Sequence, residues 1–487
     1  MMKKINVNTQ KKHAISPYLY MQFMEPLSNA DSSVDAAWDY INDRWQPCVV
    51  DAIKELNPTM IRFGGCFASY YHWKEAVGPR ANRVPMLNQC WDGVYSNQVG
   101  THEFMELCRE VGAEPLMCVN TESDGRMHWA YPKAGEDRFG TAEEAAEWVA
   151  YCNDPDNALR KSHGVNNPYN LRYWQIGNET SYDKRGYGAE KSAEVAAKFA
   201  KAMRAVDPSL KLLGWGDDFR RFDEKWAQTL CETAGDDIDI VAYHYHYETY
   251  PGALKDQMEN NNYRKDPQRT WDNLMTMYQY MQTRIDQMRE AVAPYGKKLA
   301  MTESHFNLPG RNRNEMLSSW AMGVAYARSL NTVEHNSDII DIATSADFFG
   351  TRWQVNAILF NAPIGPNTRA YLQPVAEVMK LFRHHIGSHA LDVSGLEAQD
   401  ITASLSADGK TAYLHVVNPS AHAEQPIEIS IDGKIVKSMK IFEIAKNPTD
   451  EIMMTCPDLF KPEEKTVEGA SYTMPAASVA AIEVALA

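Results

Sequence analysis

The sequence predicts an α/β fold: a (β/α)8 barrel of the TIM type, followed by a small antiparallel β-sandwich. Three observations predict it. Between residue 18 and about 385, eight short apolar runs alternate with helical patterns, as in a parallel sheet covered by helices. Two of those runs end in a glutamate, Glu179 after Tyr173–Ile176 and Glu303 after Leu299–Thr302. From about Ala390 the pattern changes to alternating apolar and polar residues with Gly-containing turns.

The runs read as strands are Tyr18–Phe23, Met60–Phe63, Glu114–Val119, Tyr173–Ile176, Lys211–Gly214, Ile238–Tyr243, Leu299–Thr302 and Ile339–Ala343. Helices are expected at Glu143–Cys152, Ala189–Val206, Trp271–Ala293, Asn314–Leu330 and Tyr371–His385. The second of these stops at Asp207-Pro208, because the residue before a proline is pushed out of the helical region. Two long connections, Thr121–Thr141 with Trp129 and Tyr131, and Tyr247–Arg269 with Tyr250 and Tyr263, read as insertions that shape a site. In the last hundred residues, Ala412–Val417, Ile427–Ile431 and Ser478–Val484 alternate, with turns at Asp408-Gly409 and Asp432-Gly433. Lys4–Val7 is strand-like and precedes the barrel, so it is assigned to the sandwich. The expected units are residues 1–15 with the sandwich, 16–387 as the barrel and 388–487 as the sandwich. A doubly wound open sheet would need a glycine loop after its first strand, and Met21-Gln22-Phe23-Met24-Glu25 is not one.

A chain of 487 residues exceeds what one core usually holds, which suits this division. Its net charge of −15 disfavours nucleic acid and anionic membranes as partners. Eight cysteines occur without a CxxC pair or a regular framework, the pattern of reduced thiols in a cytoplasmic protein. The first residues lack the apolar stretch of a signal peptide, and no segment is apolar enough to span a bilayer.

In a closed barrel the chemistry sits in the loops after the strands. Glu25 follows strand 1, Arg62 and Cys66 strand 2, Asn120 strand 3, Glu179 strand 4, His244 strand 6, Glu303 strand 7 and Asp347 strand 8. A carboxyl group at a strand end is costly to bury unless something uses it. Two of them facing across one mouth form the acid and nucleophile pair of glycoside cleavage, about 5–5.5 Å apart for retention and about 6.5–9.5 Å for inversion. Asn178 adjoins Glu179, and both reach the site only if the strand end bends, since neighbours on a strand point opposite ways. His244 and His246 share one strand face. No third metal ligand lies nearby in the sequence, so they are read as polar contacts to the nucleophile or to a sugar hydroxyl, with no metal. Arg62 is read as an ion-pair partner that steadies Glu303 or Glu25. Cys66 has no histidine placed to activate it as a nucleophile.

These motifs resemble the α-L-arabinofuranosidases of glycoside hydrolase family 51. The resemblance runs over nearly the whole chain. It includes Ile15–Tyr20 continuing to Phe23 and Glu25, Arg62–Phe67 with Tyr71, Trp73 and Gly78-Pro79-Arg80, Glu106–Glu110 with Gly112–Pro115, and Ala145–Asn153. It continues through Tyr173–Glu179, Ala202–Arg204 with Val206–Pro208, Cys456–Asp458, Lys461-Pro462, Met474-Pro475 and Ser478-Val479. The resemblance implies that Glu179 is the acid/base and Glu303 the nucleophile of a retaining mechanism. It implies that Asn178 holds the sugar 2-hydroxyl, that Glu25 and Cys66 line the subsite with Arg62 in support, and that no cofactor is needed. It also implies a homo-oligomer, frequently a hexamer. Four positions depart from the family pattern: Thr180 replaces a methionine, Ser304-His305 follows the nucleophile in place of a tryptophan, His246 replaces a tyrosine (with Tyr245 and Tyr247 adjacent), and Asp347 replaces a glutamine. They cluster around the sugar, so they bear on the substrate more than on the reaction.

The sequence thus predicts a cytoplasmic, retaining exo-glycosidase that removes terminal α-L-arabinofuranosyl or related residues from oligosaccharides. Its substrate-binding candidates are Glu25, Arg62, Cys66, Asn178, His244, His246 and Asp347. An endo-glucanase or xylanase, a galactofuranosidase, or a pyranosidase on the same barrel is the alternative. An inactive carbohydrate-binding protein is a further one, against which the presence of both glutamates counts.

Overall fold

The structure is a computed structural model. It describes residues 2–27, 33–88, 90–91, 93–121, 138–181, 188–218, 225–246, 266–305, 315–351, 356–361, 365 and 368–486, without the side chains of residues 305, 315–316, 345–347 and 356. The expected loop aromatics Trp129, Tyr131, Tyr250 and Tyr263, and Tyr247, lie outside the described residues.

Eight parallel strands form a closed ring: β1 (Tyr18–Met24), β2 (Met60–Phe63), β3 (Glu114–Val119), β4 (Tyr173–Ile176), β5 (Lys211–Trp215), β6 (Ile240–His246), β7 (Lys298–His305) and β8 (Ile340–Gly350). Closure is direct, because β8 pairs in parallel with both β7 and β1. β4 is buried at all four positions, as expected for a strand with helices on one face and the barrel interior on the other.

The helices depart from expectation where long-range partners intervene. Trp271–Ala293 is broken into Pro267–Leu274 and Met277–Val292. At the break the Thr276 hydroxyl closes on the Asn273 carbonyl at 2.8 Å, and Arg328 donates to the carbonyl of Met275. The helix expected over Asn314–Leu330 instead spans Trp320–His335, because Ser319 bridges to Glu451 and the Trp320 amide donates to Asp450. Tyr371-Leu372 pairs as a short strand with Ile358-Leu359, and the following helix starts at Pro374, a residue suited to the first helical position.

Beyond the barrel lie two sheets. One orders His389–Ala390, Ile401–Leu405, Thr411–Asn418, Ser478–Ala485, Ser438–Ala445 and Glu463–Glu468, all antiparallel. The other places Lys3–Asn8 between Asp392–Ser394 and Gln425–Ile431. Its pairing with Gln425–Ile431 is parallel, so the sandwich is mostly rather than wholly antiparallel. The turn at Asp432-Gly433 has positive φ at both residues (51° and 75°), the geometry of a tight two-residue hairpin.

The helix Trp320–His335 joins barrel to sandwich. Its buried Glu334 accepts from Tyr20 of β1, from Thr402 at 2.6 Å and from His415 at 2.9 Å. Burial opposes that charge, yet His415, Thr402 and Tyr20 together hold the carboxyl below its ordinary value. Arg328 pairs with Asp400 at 2.7 Å, and Trp320 packs on Phe460. Among the described residues no helix is long and apolar enough to cross a membrane.

Candidate active site

The strand ends bend in two ways that the period of a strand does not allow. After β4, Gly177 and Glu179 both have positive φ (75° and 48°). Gly177 adopts this freely, but at Glu179 it is strained backbone of the kind concentrated at functional sites. The bend brings Asn178 and Glu179 to the same mouth. Between β6 and β7 the register slips: Tyr243 faces Met301, but His244 faces Glu303. Thr302 is therefore the extra residue of a bulge, a device that re-aims side chains at barrel rims.

The two glutamates converge. Glu179, His244, His246 and Glu303 each offer an atom within 4.8 Å of the others, and all four residues are buried. Nδ1 of His244 lies 2.8 Å from Oε1 of Glu179 and 3.6 Å from Oε2 of Glu303. Nε2 of His246 is 3.8 Å from the same Glu179 oxygen. Nε2 of His244 meets the Thr302 hydroxyl at 3.0 Å, and the Trp215 ring stands edge-on to the imidazole at 4.5 Å. Burial holds His244 down to about 3 despite its bond to Glu179, so the imidazole is neutral at physiological pH.

Arg62, fully buried on β2, spreads its guanidinium over three acceptors. It donates to Gln175 at 2.8 Å, to Glu303 at 2.9 Å and to Asn178 at 2.6 Å. Nδ2 of Asn178 is buried and donates to no protein acceptor among the described residues. Burial pushes the Glu303 carboxyl up to about 8; Arg62 opposes this, and the charges of Glu179 and Glu25 add to it. Two carboxyls this close do not readily both ionise, so the raised value belongs to the pair and favours one proton held between them.

Glu25 lies beside this pair. Its Oε1 accepts from the Cys66 amide at 2.7 Å and from the Trp91 indole at 2.9 Å. Gly65, at φ 132°, leaves room for it: a Cβ there would come within 2.3 Å of the Glu25 carboxyl carbon. Cys66 thus contributes its backbone N–H. Asn120 donates to the Tyr71 and Arg138 carbonyls and so pins backbone near the mouth. Asp347 pairs through its backbone with Phe23, and its side chain lies outside the described residues.

Sequence reasoning missed Gln175, Thr302, Trp215 and Trp91. Gln175 carried a signal: it is a polar residue inside a run buried on both sides. Thr302 was hidden by the bulge, and Trp91 sits 66 residues from the carboxylate it holds.

Comparison with known proteins agrees with this layout. A family model described as "Alpha-L-arabinofuranosidase 1 domain" matches residues 52–269, and one described as "Alpha-L-arabinofuranosidase C-terminal domain" matches residues 300–478. A probable alpha-L-arabinofuranosidase C of Aspergillus fumigatus is 37% identical over 177 residues, 35% of this chain and 32% of the relative. An intracellular exo-alpha-(1->5)-L-arabinofuranosidase of Acetivibrio thermocellus is 30% identical over 264 residues, 50% of this chain and 49% of the relative. The chain thus spans about a third to a half of the length of these relatives. Among solved structures, an α-L-arabinofuranosidase of Thermotoga maritima in complex with arabinose aligns with a TM-score of 0.77 and 23% identity, covering 99% of this chain and 100% of its own. A family 51 α-L-arabinofuranosidase of Bifidobacterium longum aligns with a TM-score of 0.80 and 18% identity over the same shares.

Proposed function

The chain belongs to the α-L-arabinofuranosidases of glycoside hydrolase family 51, and from that premise we propose that it is a retaining exo-glycosidase releasing terminal α-L-arabinofuranosyl residues from oligosaccharides. One observation carries the reaction type. Glu179 and Glu303 converge from opposite sides of the barrel mouth, with an oxygen of each within 4.8 Å of the other. That separation suits a nucleophile that bonds the anomeric carbon, and leaves too little room for an intervening water.

The single proton is assigned to Glu179. Arg62 bonds directly to Glu303, which favours the ionised form there. Glu179 meets a neutral imidazole that can accept its O–H. In the first step Glu303 attacks the anomeric carbon, and Glu179 passes its proton to the departing glycosidic oxygen. In the second, Glu179 takes a proton from water, which displaces Glu303. The unengaged Nδ2 of Asn178 is the donor for the hydroxyl adjoining the reacting carbon. Glu25, held by Cys66 and Trp91, accepts from a hydroxyl farther along the ring.

Cytoplasmic residence and a homo-oligomer complete the reading. Free cysteines at all eight positions support the first. Light scattering on the purified chain tests the second. The reaction is tested by Glu303→Ala: hydrolysis of nitrophenyl arabinofuranoside is abolished, and azide restores a glycosyl azide of inverted configuration. Full turnover without azide overturns the assignment.

A further inference from the structure

We propose that Glu179, His244, His246 and Glu303 form a binding site for one divalent transition-metal ion of the zinc type, which blocks the active site while it is bound. The four residues arrive from three strand ends, two of them from β6 at positions i and i+2 on one face. In sequence only the histidine pair is visible. Barrel closure supplies the two carboxylates that complete a four-ligand set.

The spacing fits the ion. Zinc binds imidazole nitrogen and carboxylate oxygen at about 2.0–2.2 Å, so the ligand atoms of a tetrahedral site stand roughly 3.3–3.6 Å apart. Here the separations His244–Glu179, His244–Glu303 and His246–Glu179 are 2.8, 3.6 and 3.8 Å. They straddle the tetrahedral value; over all four ligand atoms the separations reach up to 4.8 Å, so the widest closes by about an ångström when an ion binds. Two imidazoles with two carboxylates select zinc, cobalt, nickel or copper over magnesium and calcium, which prefer all-oxygen shells. His244 is held from behind by Thr302 at 3.0 Å through its other ring nitrogen, the outer-shell contact that metal-ligating histidines usually have. All four ligands are buried, so an ion bound there is shielded from water.

An ion at this point occupies both carboxylates at once. It replaces the proton that Glu179 delivers and covers the Glu303 oxygen that attacks. Occupancy and turnover exclude each other. The inhibitory half of the proposal rests on the hydrolase reading; the binding half does not.

The test is a titration of the chelator-treated full chain with zinc chloride by calorimetry, joined to X-ray absorption at the zinc edge. The expected result is one ion per chain, with nitrogen and oxygen at about 2.0–2.1 Å and the outer-shell scattering of imidazole. His246→Ala is expected to weaken binding by about tenfold or more. A sulfur shell at about 2.3 Å, which would place the ion on a cysteine, overturns the proposal. So does no binding at millimolar zinc, or unchanged affinity in folded His246→Ala. Should that variant not fold, the absorption spectrum of the unaltered chain still decides. Zinc inhibition of nitrophenyl arabinofuranoside hydrolysis, reversed by a chelator, is expected; zinc bound at these four residues with turnover intact overturns the inhibitory half. A chain that binds zinc here and hydrolyses nothing overturns the hydrolase reading and leaves the binding result standing.

Discussion

The Thr302 hydroxyl and Nε2 of His244 stand 3.0 Å apart, while the other nitrogen of that ring meets Glu179 at 2.8 Å. A proton on Glu179 requires the arrangement in which the Thr302 hydroxyl accepts from the imidazole, a role this contact allows. With Nε2–H donated to Thr302, Nδ1 is left to accept from Glu179. Thr302→Val removes that anchor. A drop in kcat/KM of up to about tenfold is expected, matching one hydrogen bond, with an altered alkaline limb. Thr302→Ser restores both. An unchanged pH profile in the valine variant would show that the threonine only fills space.

The shared proton sets the upper pH limit. Burial raises Glu303 to about 8, so kcat/KM falls as pH passes that value and the pair loses its proton. Stability follows with the same sign. A carboxyl raised above its unfolded value contributes fully below the ordinary carboxylate range, and that contribution is lost as pH rises through about 8. Melting temperature should therefore decline from about pH 4.5, the ordinary carboxylate value, to about pH 8 and level off above it, and Glu303→Gln should flatten the decline.

Glu179→Ala separates acid from nucleophile. The loss on arabino-oligosaccharides, whose leaving oxygen needs a proton, is expected to be about 10²–10⁴-fold. The loss in the glycosylation step on a nitrophenyl glycoside should be far smaller, and azide should yield a product of retained configuration. Equal losses on both substrates would remove Glu179 from the acid role.

Arg62→Met leaves the Glu303, Gln175 and Asn178 acceptors without their common donor. A destabilisation of about 3 kcal/mol in urea unfolding is expected, because one charge of a buried pair is stranded. In the folded fraction the alkaline limb should move upward, since nothing then opposes protonation of Glu303. A downward move would contradict the assigned proton.

Glu334→Gln tests the joint between barrel and sandwich. The glutamate is held below its ordinary value, so its contribution is present above the unfolded carboxylate range and lost as pH falls through the folded value. The variant should lose about 1–3 kcal/mol at pH 7 and less in acid, read from denaturant midpoints at several pH values.

Much of this was legible in the residues themselves. The barrel strands read as apolar runs because both faces are buried, and Glu179 and Glu303 stood out because charge follows each run. What could not be read was whatever depends on a meeting between distant segments. The Thr302 bulge exists only once β6 and β7 pair. His246 gains its carboxylate neighbours only when the ring closes. Helix Pro267–Leu274 ends where it does in part because Arg328, far along the chain, takes a carbonyl at its end. Parity along a strand argues against Asn178 and Glu179 sharing one cavity, and the positive φ at Gly177 and Glu179 overrides it.

Lys3–Asn8 is an inner member of its sheet, yet it is translated long before either neighbour; Thr9 and Asp432, which bond at its end, are 423 positions apart. Through most of synthesis this segment has no edge to join, while the barrel can finish without it. Distance itself costs little, since loop-closure entropy grows only about 0.6 kcal/mol per doubling of length. Timing matters more: the sheet is joined by a piece that has no partner until residues 392–431 have been made. Trimming those six residues would detach Asp392–Ser394 from the rest of the sheet and bare the facing edge of Gln425–Ile431 for a neighbouring molecule to occupy.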